Sequence, residues 1–527
     1  MANSFRRSWR KCAGVLFALI VAGCWGGNQP GTVEPIETGF FGAIAADEPR
    51  AALVGRDVLI AGGSAADAAV AVAFTLAVTL PSSAGLGGGG ACVALNGPTA
   101  TATLFDFAAS ATAESRIAVP ALVRGLAVLH ARHGRMPWTQ VLGPAENTAR
   151  FGAPVSRALA QGLAEAPAEL ARDPASARIF APGGSLLREG ETLLQLDLAT
   201  ILGQIRQKGG GEFYSGLLPQ QIAAAAQDAL PLETLRGYLP QATTPPAIRL
   251  NVQQQLLIAG DRPATAALFG RLLALGADAA PSASDAARYW AEAAAAAEAQ
   301  LADTLSRGQA AIVPSSAELS ALTARVRAGN HERPAKTLGS VGTGRAGATS
   351  LYVADKNGLA IACALGLNAP WGTGKVLPGT GILAAPPSSA DSPRAVAAIG
   401  ATTGSGGVYF AGAASGRASA SALAPIVLAA MAPRSDIAAL VAQPRVAYDG
   451  ASDVALVEAG VPLDSLSRGG IRTVEASPLG LANALSCPDE LVRTRASCRI
   501  TVDPRGAGLA FGGGSGQVSS GPVTNRR

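Results

Sequence analysis

The stretch at residues 348–381, ATSLYVADKNGLAIACALGLNAPWGTGKVLPGTG, constrains the fold of this 527-residue chain more than any other. Its first eight residues alternate apolar with small or polar side chains, the period of a strand. Asp355-Lys356-Asn357-Gly358 is turn chemistry, and residues 359–367 form a second apolar run, so the sequence predicts a hairpin. A glycine-rich segment at 338–347 precedes it and ends where the first strand begins. A small hydroxyl residue, Thr349, thus stands near the head of a strand behind a pliable linker.

That layout resembles N-terminal-nucleophile hydrolases. In these a chain cut before Thr, Ser or Cys makes one residue both the nucleophile and, through its freed α-amine, the base. Thr349 is the candidate nucleophile, and an ordinary strand threonine is the competing reading of the same residue.

The N-terminal residues predict export. Arg6, Arg7, Arg10 and Lys11 form a basic region, 15–21 an apolar core, and Val21-Ala22-Gly23-Cys24 has the small residues and cysteine of a bacterial lipobox. Residues 1–23 are therefore expected to be a lipoprotein signal peptide, and Cys24 the lipid-bearing residue that holds the protein to the membrane. Residues 24–40, polar and rich in Gly and Pro, are expected to form a tether facing the periplasm of a bacterial envelope. Without the four leader cations the formal charge of +5 falls to about +1, so the basic pI carries no message about partners. With no basic stripe interleaved with aromatics, nucleic acid is not an expected partner.

A hydrophobic content of 49% against 15% charged residues fits a large globular core. Of the six cysteines, Cys92 and Cys363 lie in apolar runs and read as buried small hydrophobes. Cys487 and Cys498 flank a short polar loop and suit a disulfide in an oxidising compartment. With three histidines and no CxxC, no metal site is expected, and His130 and His133 read as a solvated helix face.

Residues 62–95 carry the second informative pattern. Ser64 is placed to cap a helix over 65–79 whose Ala and Val content all round demands burial between layers. The glycines from Gly85 to Gly90 then precede a strand at 91–95. No Gly-Lys-Ser/Thr follows and no helix opens there, so this is not a phosphate loop.

Both stretches resemble the γ-glutamyltranspeptidases. Gly62, Gly63, Ala65, Asp67, Ala68, Ala69, Val70, Pro81, Ser83 and the glycine run follow the large-subunit pattern of that family. Asp355, Lys356, Gly358, Leu367, Asn368, Gly372, Thr373, Gly374 and Gly381-Ile382-Leu383 follow the start of its small subunit. In this register the nucleophilic threonine of the family falls on Ala348, and Thr349 takes the next place. The resemblance covers about 43–513 and is weak from about 230 to 335, where the Met-Pro-Pro-Pro-Ser-Ser-Gly-Gly segment is replaced, the nearest stand-in being residues 259–263.

The resemblance implies an α/β (α+β) fold, the four-layer αββα sandwich, with a large-subunit-like region at 41–348 and a small-subunit-like region at 349–512; residues 513–527, rich in Gly, Ser and Gln, are expected to form a disordered tail. It implies a small γ-glutamyl or other peptide-like ligand and no cofactor. Asn368 matches the asparagine that contacts the substrate amine, Ser388 and Ser389 the serines that hold its carboxylate, and Ser415 with Gly416 the oxyanion donors. The arginine after the Asp-Phe pair is replaced by Ala108, with Arg116 the nearest substitute, and the hydroxyl before Asn368 is replaced by Gly366. Three readings stay open. One is a γ-glutamyl peptide hydrolase or acyltransferase that cuts itself before Thr349. The second is an uncut pseudoenzyme lipoprotein that binds a small peptide-like ligand, and the third an envelope lipoprotein that merely inherits the fold.

Overall fold

The computed structural model describes residues 41–512 apart from short segments at 279–280, 283, 309–311, 330, 342–346, 390–393, 433–434 and 492–497, together with the backbone of 518–520. The expected signal peptide, Cys24 and the tether lie outside the described residues, as do 513–517 and 521–527.

Two large sheets form the centre. In chain order their strands are β1 (Gly42–Ala46), β2 (Gly89–Asn96), β3 (Thr101–Phe107), β4 (Gln241–Thr243), β5 (Ala247–Arg249), β6 (Gln254–Gly260), β7 (Ala348–Asp355), β8 (Leu359–Gly366), β9 (Ala395–Thr402), β10 (Val408–Ser415), β11 (Leu481–Ser486), β12 (Arg499–Thr501), β13 (Leu509–Gly512) and β14 (Val518–Ser520). One sheet runs β14-β13-β1-β7-β8-β2-β3-β4 and the other β12-β11-β10-β9-β6-β5. The expected hairpin is β7–β8, paired in unbroken register from Ala360↔Ala354 to Gly366↔Ala348. Val518–Ser520, inside the stretch expected as a disordered tail, instead pairs with β13 as an edge strand.

Alternation along the strands sorts the core into layers. On the inner face of the first sheet Ala43, Ala45, Ala91, Ala348, Ala362 and Ala364 meet Ala395, Ala397, Ala411 and Ala413 of the second, a cluster of small side chains that lets the sheets pack closely. On its outer face Ile44, Leu351, Val353, Ile361 and Leu365 meet α1 (Pro49–Ile60) and α2 (Ala65–Thr79). The outer face of the second sheet packs on α3 (Pro263–Asp278) and α5 (Ser419–Ala430), with α4 (Ala286–Ser306) beyond. Helix, sheet, sheet and helix form the four layers expected from the sequence.

Local chemistry explains the best-fitting elements. Ser64 caps α2 in a reciprocal box with Asp67, and every residue of that helix is buried. Asp355 ties the hairpin turn to this helix, since its Oδ1 accepts from Asn357 N at 2.8 Å and its Oδ2 from Ala65 N at 3.0 Å. The glycine run serves close approach rather than anion binding. A Cβ on Gly87, Gly88, Gly89 or Gly90 would lie 2.1–2.2 Å from a backbone oxygen of Leu383, Gly366, Phe107 or Ala364.

Two sequence expectations change. Cys92 and Cys363 face each other across β2 and β8 and are disulfide-bonded, which corrects their reading as free small hydrophobes. Cys487 and Cys498 are also bonded. His130 is not a solvated helix residue, because its Nε2 lies 3.2 Å from the buried Asp67 carboxylate and 3.1 Å from the Met136 carbonyl. No helix among the described residues is long and apolar enough to cross a membrane.

Candidate active site

The head of β7, the end of β10 and Asn483 of β11 converge on one buried carboxylate, Asp47, the residue after β1. Its Oδ2 accepts from Thr349 Oγ1 at 2.9 Å, Ser350 N at 2.9 Å and Ser415 Oγ at 3.0 Å, and its Oδ1 accepts from Asn483 Nδ2 at 2.7 Å. Burial pushes the Asp47 carboxyl above its ordinary pKa, and the hydrogen bonds from Ser350, Asn483, Thr349 and Ser415 pull the other way. Thr349 and Ser350 have no exposed surface, and Ser415 is equally enclosed.

Ala348 occupies the strand head itself. Its side chain belongs to the layer between the sheets, while by alternation Thr349 starts the opposite face with Leu351 and Val353. The peptide before it is clamped, because Gly347 N donates to the Ser82 carbonyl at 2.8 Å and the Gly347 carbonyl accepts from Leu367 N at 3.1 Å. Ala348, Asp47, Ser82, Ser83 and Ser415 line a cavity of about 20 Å³, room for roughly one water. A second buried carboxylate stands on the other side. A Cβ placed on Gly366 would lie 3.7 Å from Asp261 Oδ2 and 3.9 Å from the Ala348 Cβ. Burial raises the Asp261 pKa as well, against the pull of Arg262, whose Nε lies 3.9 Å away.

The remaining expected site residues divide. Ser415 reaches the cluster through its hydroxyl, as the last residue of β10, and Gly416 follows it with φ +92°. Asn368 sits at φ +62° with its amide engaged by the protein, Nδ2 donating to the Ala109 carbonyl at 2.8 Å and the Pro386 carbonyl at 3.0 Å. Ser388 and Ser389 are exposed, and the Ser389 carbonyl accepts from Arg262 Nη1 at 2.8 Å. Arg116 is exposed, its backbone N–H bound to the Ala229 carbonyl. Sequence reasoning missed Asp47 entirely. A lone Asp after a five-residue strand carries no signal, and only the meeting of β1, β7, β10 and β11 gives it partners. Asp261 lay in the stand-in segment at 259–263 without being singled out. No group of three or more potential metal ligands occurs among the described residues.

A solved cephalosporin acylase from Bacillus halodurans is similar to this chain at a TM-score of 0.71 and 20% identity, over 89% of this chain and 95% of that one. The fold is that of the N-terminal-nucleophile acylases. A family profile described as Gamma-glutamyltranspeptidase matches residues 51–392, and the chain belongs to that family. The glutathione hydrolase proenzyme of Bacillus subtilis (strain 168) is 31% identical over 255 residues, 42% of this chain and 43% of the relative. That of Escherichia coli (strain K12) is 35% identical over 229 residues, 39% and 40% of the two chains. Each alignment thus spans about two fifths of the relative's length.

Proposed function

We propose that this protein is a non-catalytic member of the γ-glutamyltranspeptidase family, which stays a single chain and serves in the bacterial envelope as a lipoprotein anchored through Cys24. Its partner in this reading is a small peptide-like ligand. The observation that carries the proposal is the position of Ala348. A methyl group, with no nucleophilic atom, faces the space between the sheets beside Ser82, Ser83 and Ser415. The adjacent Thr349 hydroxyl is sealed and committed to Asp47. A nucleophile needs access to its substrate as well as a base. The cavity of about 20 Å³ is far below the few hundred Å³ of a small-molecule site, and no γ-glutamyl group fits it.

The Thr349–Asp47 contact favours a second reading, a hydrolase or acyltransferase that cuts itself before Thr349. In that reaction Asp47 takes the hydroxyl proton as Oγ1 attacks the Ala348 carbonyl. Asp47 returns that proton to the Thr349 nitrogen as the C–N bond breaks, leaving an ester on Oγ1 and a free Thr349 amine, and water then hydrolyses the ester. A carboxylate whose pKa is raised by burial is a better base for this step than an exposed one.

The intact mass of the reduced mature protein separates the two, measured beside Thr349→Ala and with hydrolysis of a γ-glutamyl anilide. A single uncut chain without anilide hydrolysis is expected. Fragments ending at Ala348 and starting at Thr349, absent from Thr349→Ala, would replace the first reading with the second.

A further inference from the structure

His331 stands apart from the Asp47 cluster, with a carboxylate at each end of its ring. Its Nδ1 lies 3.2 Å from Glu292 Oε1 of α4, and its Nε2 lies 2.9 Å from Asp453 Oδ1 in the turn between the strands Val446–Asp449 and Val454–Val457. The Tyr448 hydroxyl donates to the same Asp453 oxygen at 2.7 Å. The contact is largely closed to water, with side chains 7% exposed at His331 and 3% at Glu292.

A neutral imidazole has one N–H and one lone pair. In either tautomer the lone pair would face a carboxylate oxygen, and a buried carboxylate left without its donor is costly. Both contacts become hydrogen bonds only when one further proton is present, on the ring or on Glu292. Burial pushes the Glu292 carboxyl above its ordinary pKa against the pull of His331, which favours keeping that proton. Burial pushes Asp453 up as well, but the hydrogen bonds from His331 and Tyr448 and the charges nearby outweigh it and leave its pKa lowered, so Asp453 is the acceptor. The other charges around the network are Arg288 of α4 and Arg325 of the helix Ser316–Ala328 toward Glu292, Arg333 and Arg472 toward Asp453, and Glu298 toward Tyr448.

His331 begins a strap, residues 331–341, that leads from that helix toward the head of β7 and is neither helix nor strand. Its backbone N–H donates to the Gly469 carbonyl at 3.1 Å. Further on, the Leu338 carbonyl accepts from Arg394 Nη2 at 3.2 Å, and Val341 N donates to Asp449 Oδ1 at 2.8 Å. Glu332, Arg333, Ala335 and Lys336 between them are exposed, so contacts of this kind, rather than burial, fasten the strap.

We infer that Glu292, His331 and Asp453 form a proton-operated clasp, which fastens residues 331–341 to α4 and to the 446–457 hairpin while the shared proton is present and frees them as it leaves to solvent. The clasp holds at low pH and opens as pH rises. The chain leading toward Ala348 is thereby held tightly or loosely according to the acidity around it, under either reading of Thr349.

The test follows the intact mature protein from about pH 5 to about pH 9. The sequence has three histidines, so selective nitrogen labelling resolves the His331 ring by NMR, assigned through His331→Gln. Hydrogen exchange of peptides spanning 331–341, corrected for its intrinsic pH dependence, reports the strap. Protection is expected to fall at least about tenfold across the range, in step with a change in the ring signals. In Glu292→Gln the new side-chain N–H donates to a neutral Nδ1 while Nε2–H still reaches Asp453, so protection should stay high throughout. If that variant does not fold, Asp453→Asn makes the same comparison, its amide donating to a neutral Nε2 while Nδ1–H reaches Glu292. The inference is overturned if protection is flat in the wild type, if it falls while the ring signals stay constant, or if the folded variant loses protection over the same window as the wild type, as it would were Glu298 the source.

Discussion

The hydroxyl of Thr349 donates to Asp47 Oδ2 across 2.9 Å, joining residues 302 positions apart, and the same oxygen accepts from Ser415 in the other sheet at 3.0 Å. One carboxylate therefore pins the two sheets together at the head of β7. Removing the acceptor leaves two hydroxyls and two N–H donors, those of Ser350 and Asn483, buried without it, whereas removing one hydroxyl loses a single bond. Asp47→Ala is expected to cost about 3 kcal/mol or more of folding stability and Thr349→Val about 1 kcal/mol, as read from denaturant unfolding. Equal costs would show that Asp47 is not the hub.

Asn368, expected to contact a substrate amine through its Oδ1, uses its Nδ2 to pin two backbone carbonyls, and its backbone is left-handed. Asn368→Gly keeps the conformation and loses two hydrogen bonds, about 2 kcal/mol, while Asn368→Ala adds roughly 1–2 kcal/mol of left-handed strain. Unfolding curves should rank wild type above Gly and Gly above Ala. A side chain reserved for substrate would show no such ranking.

Glu298 is buried, with its Oε1 3.7 Å from Arg394 Nη1, and burial pushes its pKa to about 7 from an ordinary 4.5. The folded protein then binds a proton that the unfolded chain releases between those values. Its contribution to stability is complete below pH 4.5 and is lost as pH rises to 7, a change of roughly 3 kcal/mol. Raised values at Asp47, Asp261 and Glu292 act in the same direction. Glu298→Gln should flatten the fall in wild-type stability across this window in guanidinium unfolding, and parallel curves would exclude Glu298 as its source.

The Cys92–Cys363 disulfide closes a loop across 271 positions of the chain. Cross-links over long loops stabilise by restricting the unfolded chain, so Cys92→Ala/Cys363→Ala should lose about 2–5 kcal/mol. The bond also spans position 348. If the chain were cut there, the halves would stay joined until reduced, and a non-reducing gel would show one band whether or not cutting had occurred. Mass measured with and without reductant checks both points.

Much of the architecture was written locally. The helix expected at 65–79 is Ala65–Thr79 with its Ser64 cap, and the hairpin strand expected at 359–367 is Leu359–Gly366. Such elements are specified by neighbours three, four or two residues away, so periodicity and capping reveal them. The family was legible for the same reason, because its motifs are contiguous runs.

What the sequence could not carry was the pairing of distant residues. Cys92 and Cys363 each look like a small apolar residue until β2 and β8 lie side by side. Asp47 looks like any polar residue after a strand until Thr349, Ser350, Ser415 and Asn483 close around it. The sequence by itself determined the layers, the hairpin and the order Ala348-Thr349 at its head. The tertiary structure decided which residues share a buried carboxylate and that Thr349 is sealed, because those contacts arise only when segments hundreds of residues apart are packed together.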